Sequence, residues 1–85
     1  MQPLDGNVLA GALSGLFQFD MTLALGECAH CGDVALLARA VVYPDPKGYV
    51  VRCGACGEVL LVLVSTLGGT RLDLAGFSSL QVPQA

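Results

Sequence analysis

All four cysteines of the chain fall in two repeats of the form Cys-x-x-Cys-Gly, at residues 28–32 and 53–57. We call each repeat a knuckle, because one tight turn can present two thiolates to the same metal ion. The 21 residues between Cys31 and Cys53 exceed by one the usual spacing of paired zinc-binding repeats. Four thiolates complete a tetrahedron around zinc. The spacing therefore predicts one metal ion per chain with the ligands Cys28, Cys31, Cys53 and Cys56.

Three kinds of chemistry suit this ligand set, and we prefer structural zinc. Four cysteines leave no coordination position for water, so zinc held by them would not be catalytic. Iron in the same site would carry single electrons, because ligand type alone does not separate the two metals. The chain has no Trp, however, whereas rubredoxins pack an aromatic core around their iron. A thiol–disulfide or metal-carrying role is less favoured, because redox Cys-x-x-Cys pairs usually open a helix and strand patterns follow both knuckles here.

Nothing else in the sequence predicts a catalytic site. It contains no Ser/His/Asp arrangement, no phosphate-binding loop with a lysine and no paired carboxylates, so we predict that the protein is not an enzyme. His30 lies inside the first knuckle, but the two cysteines of that turn already supply its ligands. We therefore expect the His30 ring to face solvent. The other charged residues near the knuckles are expected to be solvated or, for the arginines, to offset thiolate charge: Glu27, Glu58, Arg39 and Arg52.

Composition points to a protein partner rather than to nucleic acid. The chain has 4 Lys+Arg against 7 Asp+Glu and a formal net charge of −3, so it lacks the basic face that phosphate binding requires. Hydrophobic residues make up 54% and charged residues 13% of only 85 residues. A domain this small has a marginal core and cannot bury so much apolar surface. We expect a protein partner or a homodimer, and no small-molecule substrate is evident.

The sequence also predicts a cytoplasmic location. Residues 1–5 contain an acid and no Lys or Arg, unlike the basic start of a signal peptide. The uncharged runs Gly6–Phe19 and Val59–Thr70 are shorter than the roughly 20 residues that cross a bilayer. Four cysteines in a metal-binding pattern suit a reducing compartment.

Hydrophobic periodicity predicts one helix at the start of the chain. Asp5 or Asn7 can cap a helix from about Val8 to Gln18. Its apolar residues recur at helical spacing and form one stripe. The stripe consists of Leu9, Leu13, Leu16 and Phe17.

The rest of the chain is predicted to be strands arranged around the knuckles. A run with both faces apolar, Val59–Val64, is expected to be a central strand covered by the helix, or alternatively a docking or dimer surface. Residues 44–48 and the pair Gly68-Gly69 are predicted turns. The predicted strands are Met21–Leu25, Val34–Tyr43, Tyr49–Arg52, Val59–Leu67 and Thr70–Ala75.

This order describes a small metal-stabilised β-rich domain. We predict a zinc ribbon with rubredoxin-like knuckles, an N-terminal helix and an added C-terminal strand. Residues 1–85 would form a single domain. Its parts would be a helical segment at 1–20, the ribbon sheet at 21–75 and an irregular tail at 76–85.

Several motifs outside the knuckles resemble a family of small zinc-ribbon proteins from high-GC Gram-positive bacteria, known only as a domain of unknown function. The most specific is the opening Leu-Asp-Gly-Asn-x-Leu-Ala-Gly at residues 4–11. The glycine-flanked knuckles, Val59-Leu60-Leu61 and Leu72-Asp73-Leu74 complete the resemblance. It implies a four-cysteine zinc ribbon without an assigned activity. It also suggests that Asp5-Gly6-Asn7 either caps the helix or docks a partner.

Overall fold

The computed structural model describes residues 4–13, 16–17 and 20–83. These residues form eight strands and one short α-helix, with 3₁₀ turns between them. The helix α1 spans Leu9–Leu13. The strands are β1 (Leu4–Asp5), β2 (Leu25–Cys28), β3 (Val34–Leu36), β4 (Val41–Asp45), β5 (Gly48–Arg52), β6 (Val59–Thr66), β7 (Gly69–Asp73) and β8 (Phe77–Gln81).

Two antiparallel sheets carry one knuckle each. The larger sheet has the strand order β1-β4-β5-β6-β7, and the smaller sheet has the order β3-β2-β8. The first knuckle joins β2 to β3 in the smaller sheet, and the second joins β5 to β6 in the larger sheet. The described chain is therefore a small β-rich domain of the zinc-ribbon type, with its two knuckles on different sheets.

The N-terminal helix begins later and is shorter than predicted. A 3₁₀ turn at Gly6–Val8 precedes it, and the Asp5 carboxylate caps this turn by accepting the Asn7 backbone N–H at 3.0 Å. Leu16 lies in a turn and Phe17 outside regular structure, so the prediction of a helix through this pair is wrong. The prediction also covers residues 14–15 and 18, which lie outside the described residues.

Only half of the predicted apolar stripe is fully buried. Leu9 and Leu13 are at most 1% exposed and belong to the core, and Phe17 packs against its edge. Leu16, by contrast, is 45% exposed. Because α1 ends at Leu13, Leu16 does not lie on the helix face that Leu9 and Leu13 share.

Two predicted strands are interrupted by 3₁₀ turns. Met21–Leu23 forms a 3₁₀ turn because Asp20 accepts hydrogen bonds from both the backbone N–H and the hydroxyl of Thr22. The predicted strand at Val34–Tyr43 is split by a second 3₁₀ turn, at Leu37–Arg39. Its first part joins the smaller sheet as β3 and its second part joins the larger sheet as β4. The chain thus crosses between sheets within a run that reads as one apolar strand.

The core is centred on the larger sheet. Val42, Val51 and Leu61 face each other on adjacent strands and are all completely buried. Strand β6 lies inside this sheet between β5 and β7, as its uniformly apolar sequence predicted. Its Leu60 and Leu61 are both buried, at the end of β6 where the register with β5 shifts by one residue.

The segment predicted to be an irregular tail contains strand β8, so that prediction is wrong. Residues Phe77–Gln81 pair with β2, and Gly26 lies opposite Leu80. β7 is therefore not the last strand of the chain. The observed turn at Pro46-Lys47 lies within the predicted turn at 44–48, and the turn predicted at Gly68-Gly69 is shifted by one residue to Leu67-Gly68. Across the described part of the chain, we find no helix with the length and apolar character needed to cross a membrane.

Candidate metal centre

The four cysteine sulfurs meet where the two sheets approach each other. The sulfurs of Cys28 and Cys56 are 3.7 Å apart, as are those of Cys31 and Cys53. All four lie within 4.8 Å of one another, and all are free thiols. A tetrahedral ion with metal–sulfur bonds of about 2.3 Å needs sulfur–sulfur edges of about 3.8 Å. The donor set therefore fits one tetrahedral metal ion, and both of the 3.7 Å pairs join one knuckle to the other.

The two knuckles share one backbone conformation. The N–H of Gly32 donates to the Cys28 carbonyl, and the N–H of Gly57 donates to the Cys53 carbonyl, both at 2.9 Å. The two glycines have φ of +78° and +81°, where a Cβ is strained. This explains why a glycine follows each cysteine pair. The N–H groups of these two glycines therefore bond carbonyl oxygens and not sulfurs.

Backbone N–H groups of other residues point at the sulfurs. Ala55 donates to the Cys53 sulfur at 3.3 Å. The N–H groups of Cys31 and then His30 help to lower the pKa of the Cys28 thiol to about 7, against burial, which raises it. These donors stabilise thiolate, the form that binds metal.

The second cysteine of each knuckle, Cys31 or Cys56, resists ionisation in the absence of a bound cation. The N–H of Asp33 lowers the pKa of Cys31, but desolvation and the thiols of Cys53 and Cys28 together raise it. The N–H of Glu58 likewise favours the thiolate of Cys56, yet desolvation and the other three thiols raise its pKa to about 12. Four adjacent thiolates repel each other, so a cation between them is what permits all four to ionise.

Charged side chains surround the cluster without entering it. His30 is 61% exposed, and its Nε2 lies 3.8 Å from Oε2 of Glu58, across the gap between the knuckles. Among the described residues, the group of side chains placed to hold a metal contains the four cysteines and no histidine. Arg52 donates from Nη1 to the Gly57 carbonyl at 2.9 Å and lies over the Tyr43 ring at 5.9 Å. Arg52 therefore braces the second knuckle.

The residues that close the first knuckle lie far from it in the sequence and were not predicted. The Gly76 carbonyl accepts the Ala29 N–H at 2.9 Å, and Phe77 lies opposite Cys28 in the pairing of β2 with β8. A Cβ on Gly76 would collide with the Val59 carbonyl, so only glycine permits this approach of the two sheets. The available signal was Gly76-Phe77 directly after the predicted last strand, but a single Gly-Phe pair is weak without the tertiary contacts.

A groove of about 340 Å³ opens beside the two buried cysteines. Cys28 and Cys53 both line it, while Cys31 and Cys56 are exposed. Leu60 and Phe77 contribute apolar surface, and Arg39 contributes one cation. The groove is bounded by both sheets, so its shape depends on how the knuckles hold them together.

The comparisons with known proteins place the chain at family level. All of residues 1–85 match DUF6510, a family of unknown function. The chain belongs to the DUF6510 family. No curated protein and no solved structure matches it.

The opening motif that suggested this family has a structural role in the DUF6510 chain. Asp5 caps the first turn, and Gly6 is buried against the backbone of Leu37 and Ala38, where a Cβ would collide with the Leu37 carbonyl. The Leu37–Arg39 turn is the segment that crosses between the sheets. Gly6 therefore packs on the crossover that takes the chain from β3 in the smaller sheet to β4 in the larger sheet, while Asn7 is exposed.

Proposed function

We propose that this DUF6510 protein is a non-enzymatic zinc protein whose four-cysteine site is structural, and that it works as a protein-interaction or accessory module. The observation that carries the proposal is the cross-knuckle geometry of the sulfurs, with close pairs at 3.7 Å. Zinc bound there would hold the two sheets together and supply folding free energy. Four protein ligands would leave no position for a substrate or a water molecule.

Size supports a structural role for the metal. In an 85-residue chain a hydrophobic core alone gives marginal stability. A four-thiolate zinc site can add on the order of 10–16 kcal/mol of apparent binding free energy. The proposed ligands come from both sheets, so this free energy would act on the contact between them. We propose the same ligands as above: Cys28, Cys31, Cys53 and Cys56.

The surface beside the groove supports an interaction role. Val34 is 58% exposed and Leu36 is 36% exposed on β3, next to the groove at the metal centre. Exposed apolar side chains beside a concave surface are typical of protein-binding sites. With four basic residues in the chain, we propose a protein partner rather than nucleic acid, and we propose a cytoplasmic location.

One observation favours a second candidate, an iron electron carrier that serves an oxidoreductase. Cys31 and Cys56 are exposed, one from each knuckle, so a metal ion in this site would lie near the surface. Iron held by four thiolates supplies one-electron chemistry, and N–H donors to the sulfurs tune its potential. The Ala55 N–H would be one such donor. Sulfur geometry cannot decide between the metals, because both accept a tetrahedral sulfur set.

Elemental analysis separates the two candidates. The full chain is purified without added metal, and its metal content and visible spectrum are measured. We expect about one zinc per chain and a colourless protein. Stoichiometric iron with a visible band that bleaches on reduction would replace the zinc proposal with the electron carrier.

The structural role is tested by Cys53→Ser. Because the variant lacks one ligand, we expect it to lose bound zinc and to melt far below the parent protein or to be unfolded. Ala29→Ser is a matched control, since it places a hydroxyl on the other knuckle at an exposed position. A Cys53→Ser protein that keeps the parent's circular dichroism and melting temperature without metal would overturn the structural role.

A further inference from the structure

Strand β7 presents an open edge at one end of the larger sheet. Among the residues that the structure describes, β7 (Gly69–Asp73) pairs with β6 and with no other strand. Its residues are exposed except Leu72, which is half-buried and packs against the core. An open edge of this kind is a template for pairing with another strand.

The backbone groups that face outward can be assigned from neighbouring hydrogen bonds. The Ser65 N–H donates to the Lys47 carbonyl at 2.7 Å, on the side of β6 that faces β5. Ser65 lies opposite Thr70, so this pair is not hydrogen-bonded between β6 and β7. Because hydrogen-bonded and non-hydrogen-bonded pairs alternate in an antiparallel ladder, the N–H and C=O groups of Thr70 and Leu72 point away from β6. These are the groups that a further strand would meet.

We propose that two copies of this chain pair through β7, antiparallel and with Leu72 opposite Leu72 of the second copy. This register uses the outward N–H and C=O of Leu72 in both copies. It also places Arg71 directly opposite Asp73 of the second copy, and the two-fold symmetry repeats that pair. Opposite charges facing each other across an antiparallel pair stabilise it. The edge is thus complementary in charge to itself.

The charge pattern selects this register over its neighbour. Centring the pair on Arg71 would also align outward backbone groups, but it would place two arginines directly opposite each other, which is destabilising. The side chains on the core face agree with the Leu72 register. Tyr49, Leu63 and Leu72 lie side by side on three strands. Pairing would continue this row into the second copy and bury the half-exposed Leu72.

The second copy of the chain is thus one partner for the proposed interaction module. The dimer rests on the proposed function in one respect only, because it requires a folded, metal-bound chain. The dimer edge is β7, whereas the groove lies beside β3 and the metal centre. Metal content and circular dichroism report on the proposed function, and molecular mass reports on the dimer. Failure of one is therefore distinguishable from failure of the other.

The test uses charge reversal and measures mass by sedimentation velocity over a concentration series. We expect the parent to dimerise and the Arg71→Asp and Asp73→Arg variants each to shift to monomer, because each creates two like-charge pairs. Mixing equal amounts of the two variants should restore a dimer, since each copy then faces opposite charges. Lys47→Asp in the β4–β5 turn makes the same charge change as Arg71→Asp but away from β7. This control variant should dimerise like the parent.

The Asp73 carboxylate also accepts the Ala75 N–H at 2.9 Å, so Asp73→Arg removes a hydrogen bond within the chain and can impair folding. A second variant, which changes a backbone group of β7, keeps the test valid in that case. Thr70→Pro removes an outward N–H while leaving the bonds to β6 in place, as proline at a strand edge permits. It should weaken dimerisation without loss of metal. A parent that stays monomeric at every concentration would overturn the proposal. So would Arg71→Asp and Thr70→Pro proteins that both dimerise like the parent, or two folded monomeric variants that do not combine when mixed.

Discussion

The two knuckles have the same local structure but very different support. In each, the first cysteine is buried and the second is exposed, and the backbone hydrogen bonds match to within 0.1 Å. The second knuckle rests on a five-stranded sheet that carries the completely buried Val51 and Leu61. The first rests on a three-stranded sheet whose short strands have few buried side chains. A five-residue repeat is therefore enough to set the conformation of a knuckle, whereas we expect the stability of the knuckle to depend on the sheet that carries it.

The supports also differ in where they come from in the sequence. Arg52 braces the second knuckle from the adjacent position, through its bond to the Gly57 carbonyl. The first knuckle is held by Gly76, which is more than forty residues away along the chain and bonds Ala29. Long-range contacts of this kind cost more chain entropy to form than local ones. We therefore expect the smaller sheet to depend more on the metal.

Removing the metal should have the largest effect and should destabilise the smaller sheet before the larger one. On treatment with a chelator, we expect amide hydrogen exchange to accelerate strongly in β2, β3 and β8 before it does so in β5 and β6. The reason is that the metal is proposed to contribute on the order of 10–16 kcal/mol and that the smaller sheet has little core of its own. Equal acceleration in both sheets, or an earlier loss in β5 and β6, would contradict the difference in support.

Replacing the knuckle glycines should have a smaller and nearly equal effect. Gly32→Ala and Gly57→Ala each force an L-residue into the left-handed region and should cost about 1–2 kcal/mol. Equal losses, measured by chemical denaturation at a fixed zinc concentration, would show that local strain is independent of the sheet beneath. Gly68→Ala is the control, because its φ is not positive and its Cβ would meet nothing within 4 Å. A markedly larger loss at one knuckle would show that strain and support are coupled.

Removing the arginine brace should have the smallest effect and should be confined to the second knuckle. Arg52→Ala loses an exposed hydrogen bond and a cation–π contact, so we expect a cost of at most about 1 kcal/mol. Amide exchange should accelerate near Gly57 and Glu58 and stay unchanged near Gly32 and Asp33. Arg39→Ala, which removes an exposed arginine from the groove, is the comparison. An effect of Arg52→Ala spread over both knuckles would mean that the metal transmits it.

The candidate site was predictable because its signal is local. Each knuckle needs two cysteines and a glycine within five residues, and the left-handed glycine conformation follows from that turn. The long apolar run of β6 and the Pro-rich turn before β5 could likewise be predicted from local sequence. The length of α1 was not, since apolar spacing alone cannot show that Leu16 leaves the core.

The errors arose where tertiary contacts outweigh local pattern. Apart from Arg39 the run 34–43 is apolar, yet it contains a crossover between two sheets at the Leu37–Arg39 turn, where Gly6 packs against the Leu37 backbone. Strand β8 carries two serines and little alternation, and it becomes a strand only by pairing with β2. Neither contact leaves a periodic signature in the sequence.

What the sequence determined by itself is the donor set and the conformation of each knuckle, since both depend on residues within one turn. Only the tertiary structure decided that the knuckles sit on different sheets, that residues 76–81 close the first of them and that β7 ends the larger sheet. The physical reason is range. Turn geometry follows from the conformational limits of a few residues, whereas strand partners are chosen by burial and hydrogen bonding between segments far apart in the chain.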